Sequence, residues 1–242
     1  MRSEKTLITG ADYGIGREIS EKFASEGHDL YLTVRKKKEY KKLKLLEKNY
    51  GVKVKIFVGD LRNKKFINSL SKINFVDNLI NNAGQANTKF FTDVTDKEFD
   101  NLIEVNLGVP FKLSQIFSKK MIKHKIKGKI INLSSQLGHI GAYNRSLYSL
   151  SKFGLEGLTK SMALDLAKYG IRVVAIAPTK TIVKKKEKKL TARLRIIKNK
   201  IPLKKFSKTT EIANIAYFLT TESAGSITGT SIVSDGGWTA GK

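Results

Sequence analysis

Short apolar runs alternate with longer amphipathic stretches along the first three-quarters of the chain. Lys5 to Ile8, Leu30 to Val34, Val52 to Val58, Val76 to Ile80, Lys129 to Leu133 and Ile171 to Ala177 have strand length and are rich in Leu, Ile and Val. Between them, Ile15 to Ser25 has helical periodicity and stops at Gly27. Lys36 to Tyr50 is charged and amphipathic and ends at Gly51, and Phe66 to Leu70 suits a short helix. A long helix is expected from about Asp96 to Lys125, with Phe99, Ile103, Asn106, Leu113 and Phe117 on one stripe, and another from Leu147 to Lys168. Strands alternating with helices predict an α/β fold with a doubly wound parallel sheet and helices on both faces. Right-handed crossovers then put a ligand cleft at the carboxyl ends of the strands. With 242 residues, no internal repeat and no low-complexity linker, residues 1–242 are expected to form a single domain.

Two groups of residues bring chemistry to that frame. The first strand runs into Thr9-Gly10-Ala11-Asp12-Tyr13-Gly14-Ile15-Gly16, which opens a helix. Gly10, Gly14 and Gly16 let backbone approach a pyrophosphate, whose charge meets the helix N-terminus. The spacing is Gly-x-x-x-Gly-x-Gly, and taken alone it is equally consistent with a tight turn. Tyr148 and Lys152 stand one helical turn apart, with Ser135 thirteen residues before the tyrosine. An ammonium beside a phenol favours the phenolate, so Lys152 is expected to lower the tyrosine pKa and make Tyr148 a proton donor or acceptor near neutral pH. Asn106 falls in a buried stripe, where an amide needs partners. Pro110, four residues on, removes a helix hydrogen bond and favours a kink. An ordinary buried Asn satisfied by backbone remains the alternative for Asn106.

Composition narrows the field. The chain has no cysteine, which excludes disulfides, thiol catalysis and Cys-ligated zinc. His28, His124 and His139 form no helix-spaced metal pair, so no metal is expected. No apolar run approaches the roughly 20 residues needed to span a bilayer, and the N-terminus does not read as a signal peptide. A cytoplasmic protein without a membrane partner is expected. The formal charge of +25 fits an anionic partner or a lysine-rich compositional bias.

The combination Thr-Gly-x-x-x-Gly-Ile-Gly, Asn81-Asn82-Ala83-Gly84, Ser135 with Tyr148-x-x-x-Lys152, and the C-terminal Ile227-Thr228-Gly229 with Asp235-Gly236-Gly237 resembles the short-chain dehydrogenase/reductases, from Thr6 to Trp238. Within that family it is most like the 3-oxoacyl-[acyl-carrier-protein] reductases. The resemblance implies a Rossmann-like sheet of seven strands. It implies a catalytic set in which Ser135 hydrogen-bonds the substrate carbonyl, Tyr148 is the general acid/base, Lys152 lowers its pKa and holds the nicotinamide ribose, and Asn106 positions a water. Ser134 competes with Ser135, but the family spacing selects Ser135. A cofactor site is implied from Gly10, Asp12, Tyr13, Gly14, Ile15, Gly16, Arg35, Asp60, Leu61, Asn82, Ala83, Gly84, Tyr148, Lys152, Pro178 and Thr181. Asp60 resembles the family's adenine-contacting aspartate, with a solvated strand-end acid as the alternative.

NAD-specific members end the second strand with an acid that holds the ribose 2′-OH. Here that place is Val34, followed by Arg35, Lys36, Lys37 and Lys38, so NADPH is expected over NADH. Tyr13 stands where many NADP-dependent members carry a basic residue. After the sixth strand the family's Pro-Gly is replaced by Pro178-Thr179. Its nicotinamide-contacting threonine place is Val183, leaving Thr179 or Thr181 to substitute.

Residues 179–208 hold thirteen Lys or Arg and one acid, Glu187. Leu190, Leu194, Ile197 and Ile201 follow helical spacing there, giving one apolar face and a cationic outer face. The resemblance makes this segment a substrate lid. The expected substrate is a small-molecule carbonyl, reduced by NADPH and carried on an acidic acyl carrier protein or on CoA. A second cluster, Lys119, Lys120, Lys123, Lys125, Lys127 and Lys129, ends the long helix; a solvated face is the alternative for both. The resemblance also implies a homotetramer. Two other functions stay open. One is oxidoreduction of another small alcohol, sugar or hydrophobic ketone. The other is an NADP-sensing or nucleic-acid-binding protein, which would have no use for a proton relay.

Overall fold

The computed structural model describes residues 2–182 and 191–241. The expected strands form at β1 (Lys5–Ile8), β2 (Asp29–Val34), β3 (Val54–Val58), β4 (Asn78–Asn81), β5 (Lys129–Leu133) and β6 (Arg172–Pro178). Helices α1 (Gly14–Ser25), α2 (Tyr40–Tyr50), α3 (Lys64–Leu70), α4 (Asp96–Ile103), α5 (Val109–Lys123) and α6 (Ser146–Ala167) connect them. Past β6 come a two-residue strand β7 (Thr181–Ile182), α7 (Ala192–Lys200), β8 (Ser207–Lys208), α8 (Thr209–Phe218) and β9 (Ser231–Ser234). The main sheet has seven parallel strands in the order β3-β2-β1-β4-β5-β6-β9, and β7 pairs with β8 apart from it.

Strand residues alternate between two cores, which is why the inner runs are largely apolar, while the edge strand β3 keeps lysines alternating with valines at its start. Ile8, Leu32, Ile80, Ile131 and Val174 pack against Ile19 and Phe23 of α1, Leu43 of α2 and Ile212 of α8. Leu7, Leu79, Ile130 and Val173 face the other way, onto Leu70 of α3 and Val109, Leu113 and Phe117 of α5. β1 lies between β2 and β4, so successive crossovers leave it in opposite directions. Their loops part at the carboxyl ends of β1 and β4 and open a cleft there.

The helix expected over 96–125 is interrupted. Residues 104–108 form a π-helical turn between α4 and α5, with Asn106 inside it. Pro110 has no N–H to offer the residue 106 carbonyl, and the wider turn accommodates that missing bond. The extra residue rotates the preceding helix. Leu102, Val105 and Asn106 are buried, whereas Phe99 is exposed and Ile103 is half-buried. The expected stripe is therefore correct for Asn106, Leu113 and Phe117 and wrong for Phe99 and Ile103.

The apolar face expected across the basic segment is formed by Leu194, Ile197 and Ile201, which pack with Ile182, Phe206 and Trp238. Leu190, Val183, Glu187 and the lysines between them lie outside the described residues. In the cluster that ends α5, two lysines turn inward. Lys120 Nζ donates to the carbonyls of Ser71 (2.5 Å) and Ile73, and Lys129 pairs with Glu4 at 3.5 Å. These two close the amino-terminal side of the sheet and do not belong to a free cationic surface.

Candidate active site

The glycine turn is built by contact between β1 and β4. Gly10 and Gly14 have φ of +66° and +60°, a region closed to most side chains. A Cβ on Gly16 would stand 2.2 Å from the Gly10 carbonyl oxygen, and one on Gly10 would stand 3.0 Å from Ala83 Cα. Asn82 braces the turn: its Nδ2 donates to the carbonyls of Thr9 (2.8 Å) and Gly10 (3.0 Å). Thr9 Oγ1 accepts from the backbone N–H groups of Asn82 and Ala83, both at 3.0 Å, and Thr33 Oγ1 accepts from Gly10 N at 3.2 Å. Tyr13 precedes α1 without capping it through its side chain, and the first turn holds no acid. The helix N-terminus therefore presents N–H groups and a positive dipole end to the cleft.

The cleft encloses about 670 Å³. Its wall contains Gly10, Asp12, Tyr13, Gly14, Ile15, Arg35, Asp60, Leu61, Asn82, Ala83, Gly84 and Thr181 from the expected cofactor set. Gly16 is buried behind that wall and Pro178 ends β6. The wall also takes in Thr33, Gln85, Val105 and Thr209, which carry no motif in the sequence, and Lys180 and Leu194 of the basic segment. Val34 is buried in the core at the end of β2, and the side chain that extends into solvent there is Arg35, 60% exposed. Asp60 is half-buried and paired rather than free. Arg62 grips it through Nη2–Oδ2 at 2.6 Å and holds its carboxyl down at about 2. Of the two threonines after β6, Thr181 lines the cleft, while Thr179 Oγ1 is buried without a protein partner.

Asn106, Ser135, Tyr148 and Lys152 come together beside this cleft. A Cβ built on Gly84 would be 3.4 Å from Asn106 Oδ1 and 3.8 Å from Lys152 Nζ, so Gly84 joins the two groups of residues. Asn106 is fully engaged. Its Oδ1 accepts from Gln85 N at 2.7 Å, and its Nδ2 donates to Gln85 O (2.8 Å) and Ser151 Oγ (3.0 Å). Ser151 Oγ donates in turn to the Tyr148 carbonyl at 2.7 Å. Ser135 Oγ accepts from Leu137 N at 3.2 Å, which fixes it at the end of β5 facing the phenol. Ser134 points away, toward Gly138, as the alternation of a strand end predicts.

The electrostatics differ from the expectation in one respect. Burial raises the Tyr148 phenol; the Ser135 hydroxyl and the Arg145 charge pull it down by less. Lys152 does not lower it here. Its Nζ is turned onto the Leu133 carbonyl at 2.6 Å and lies 5.7 Å from the phenol ring centroid. Burial pushes the Lys152 ammonium down to about 8, opposed by Glu156 one turn further along α6. Glu156 is buried, with His139 Nε2 at 3.3 Å and Ser231 Oγ at 3.1 Å. Arg62, Ser151 and Glu156 shape the site through contacts that no local pattern in the sequence announces. Among the described residues no cluster of metal-ligating side chains occurs, and no helix is long and apolar enough to cross a membrane.

The glycine cradle, the uncapped helix end and the orphaned Thr179 hydroxyl fit a dinucleotide. Known proteins agree. The family model described as enoyl-(acyl carrier protein) reductase matches residues 10–239. The 3-oxoacyl-[acyl-carrier-protein] reductase FabG of Aquifex aeolicus is 34% identical over 98% of both chains. An uncharacterized oxidoreductase of Thermotoga maritima is 34% identical over 97% of this chain and 96% of its own. Among solved structures, acetoin dehydrogenase YohF from Salmonella typhimurium superposes with a TM-score of 0.90 at 27% identity, covering 99% of this chain and 97% of its own. A putative NAD(P)-dependent gluconate 5-dehydrogenase from Beutenbergia cavernae, with bound NADP, superposes at 0.89 with 26% identity, covering 99% and 98%. The chain belongs to the short-chain dehydrogenase/reductase family and is an oxidoreductase that uses a nicotinamide cofactor.

Proposed function

We propose that this protein is an NADPH-dependent ketoreductase acting on a 3-oxoacyl thioester. The observation that carries the reading is the Ser135–Tyr148–Lys152 group, joined through Gly84 to a glycine-lined cleft whose solvent-facing strand-end side chain is Arg35. A bound nicotinamide supplies the hydride. Ser135 Oγ donates a hydrogen bond to the substrate carbonyl oxygen, and the phenol of Tyr148 gives its proton to that oxygen as charge develops. Tyr148 is protonated in the free protein, its phenol held up by burial, and it can give its proton once charge develops on the carbonyl oxygen. Lys152 stabilises the phenolate left behind by turning its Nζ from the Leu133 carbonyl toward the phenol oxygen. Asn106 holds Gln85 and, through Ser151, the Tyr148 backbone, which fixes the acid relative to the cleft.

Arg35 supports NADPH over NADH, because a guanidinium pairs with a 2′-phosphate and no acid stands there to accept from a 2′-OH. The apolar side of the segment around 179–208, with Leu194 in the cleft wall, supports its role as a lid over a hydrophobic acyl chain. Its cationic side suits an acidic carrier protein. Exposed Phe111, Leu150, Phe153 and Leu164 on α5 and α6 support self-association, proposed as a tetramer. The lack of a membrane-crossing helix among the described residues suits a cytoplasmic enzyme. The test is NADPH oxidation with 3-oxoacyl thioesters on carrier protein or CoA, against acetoin-type ketones and keto sugars. Higher kcat/KM for the thioesters is expected. A preference for the small ketone or the sugar would overturn the substrate assignment and leave the family intact.

A further inference from the structure

Asp60 and Arg62 close a tight turn after β3. Arg62 N donates to Asp60 Oδ1 at 2.9 Å, Nε lies 3.1 and 3.2 Å from Oδ1 and Oδ2, and Nη2 donates to Oδ2 at 2.6 Å. The remaining guanidinium arm, Nη1, donates to Asn101 Oδ1, and Asn101 is held on α4 by its own bond to the Lys97 carbonyl at 2.6 Å. Arg62 is thus anchored at both ends, and both oxygens of the half-buried Asp60 accept from it. Arg35 faces the same carboxylate from the end of β2, but only at the limit of contact, with Nη2 4.0 Å from Oδ2. Its side chain is otherwise in solvent at the mouth of the cleft. Asp60 is ionised throughout the neutral range, as any ordinary carboxyl is, and Arg62 lowers its pKa further, to about 2. Two cations therefore compete for one permanent anion, and Arg62 wins on geometry: a planar fork closed on a carboxylate two residues away.

We propose that Arg62 is a positioning residue for cofactor choice: by saturating Asp60 it keeps the Arg35 guanidinium available to an anionic group such as a 2′-phosphate. This rests on the reading of Arg35 given above. Without Arg62, Asp60 would draw Arg35 into its own ion pair, and a phosphate would have to displace it. The effect falls on the 2′-phosphate alone. Contacts of Asp60 or Leu61 with the rest of the nucleotide affect NADPH and NADH alike and cancel in the ratio of their affinities.

The experiment titrates NADPH and NADH into the full chain without substrate, following nicotinamide fluorescence, and reads Kd(NADH)/Kd(NADPH). The parent ratio should exceed one, and Arg35→Ala should bring it toward one. Arg62→Ala should lower it about fivefold, the factor for one unit-charge contact at about 4 Å in water. Arg62→Ala combined with Asp60→Asn should restore it, because the competing charge is gone while the side-chain size is kept. A ratio unchanged in Arg62→Ala overturns the proposal, including the case where both affinities fall together because the turn is merely structural. A fall that Asp60→Asn does not reverse overturns it too, since Arg62 would then act without Asp60. If Arg35→Ala leaves the ratio unchanged, the reading of Arg35 fails and this proposal fails with it. If Arg35→Ala lowers the ratio and Arg62→Ala does not, this proposal alone fails.

Discussion

Replacing Lys152 by Met should end turnover and yet leave the free protein at least as stable at neutral pH. Folding takes the Lys152 ammonium from an ordinary 10.5 to about 8, so the folded state disfavours its charge. At pH 7 both states are protonated and the full cost applies, about 3 kcal/mol by linkage. Between pH 8 and 10.5 the unfolded lysine still holds its proton while the folded one has released it. The unfolded state then binds more protons, so stability rises with pH across that window and the cost is gone above it. Met keeps the length and packing and removes the charge. Against this gain, the Leu133 carbonyl loses the donor now 2.6 Å away, at a cost of about 1–3 kcal/mol for a buried acceptor left unpaired. Lys152→Met should therefore lie between equal to the parent and about 2 kcal/mol more stable at pH 7.

The sharper quantity is the change of that difference with pH. Urea midpoints for both proteins, without cofactor, at pH 7, 8, 9 and 10 should show the parent gaining about 2 kcal/mol on the variant by pH 10. Lysines common to both cancel in the subtraction. A difference constant within about 0.5 kcal/mol over that range would mean that Lys152 keeps an ordinary pKa. The low-dielectric account of the site would then be wrong.

Three further outcomes follow from the same geometry. Tyr148→Phe should abolish turnover while NADPH binding stays close to intact; activity within about tenfold of the parent, under 1.4 kcal/mol of barrier, would remove Tyr148 from the chemistry. Arg35→Asp should move preference from NADPH to NADH in competitive turnover, and a parent that uses both equally would contradict the role of Arg35. Gly16→Ala places a Cβ 2.2 Å from the Gly10 carbonyl oxygen and 2.4 Å from Asn82 Nδ2, so thermal melting should show a loss of about 1–3 kcal/mol or more, and parent-like stability would show that the turn can yield.

The inner strands were legible because they are buried on both sides and read as apolar runs, whereas the edge strand β9, Ser-Ile-Val-Ser and half-exposed, has no such run and was expected only from the family resemblance. The glycine turn was legible because its backbone conformations exclude side chains. The π-turn was not. Helical periodicity registers which residues are apolar, but one inserted residue shifts the phase by about 100° without changing composition. Phe99 and Ile103 were assigned to the wrong face for that reason, even though Pro110 marked the place. The spacing of Tyr148 and Lys152 gave proximity but not direction. It did not reveal that Nζ bonds the Leu133 carbonyl or that burial dominates the phenol. Arg62 was invisible because two neighbouring opposite charges usually describe a solvated turn; only the fold brings Asn101 to the other end of the guanidinium.

The two ends of the central strands treat polarity differently, and that asymmetry explains why the lysine argument concerns function as well as stability. At the amino ends, charge is neutralised. Arg2 grips Asp77 with two bonds of 2.8 and 2.6 Å, Lys5 N donates to the same carboxylate at 2.8 Å, and Asn78 donates to Glu4 and Thr6. At the carboxyl ends, buried polar atoms are left without protein partners on three successive strands, Asn81 Oδ1 at β4, Ser134 Oγ just past β5 and Thr179 Oγ1 just past β6, against Asn78 Oδ1 at the amino end of β4. Lys152 adds a buried ammonium among them. Each such group costs folding free energy that a hydrophobic replacement would recover. A chain selected for stability alone would have closed both ends alike. Of these groups Ser134 points away from the cleft and Asn81 lies in the core, but Lys152 and Thr179 stand beside the opening, and leaving their cost there is what a site needs if its charges and hydroxyls are to meet a ligand with little reorganisation.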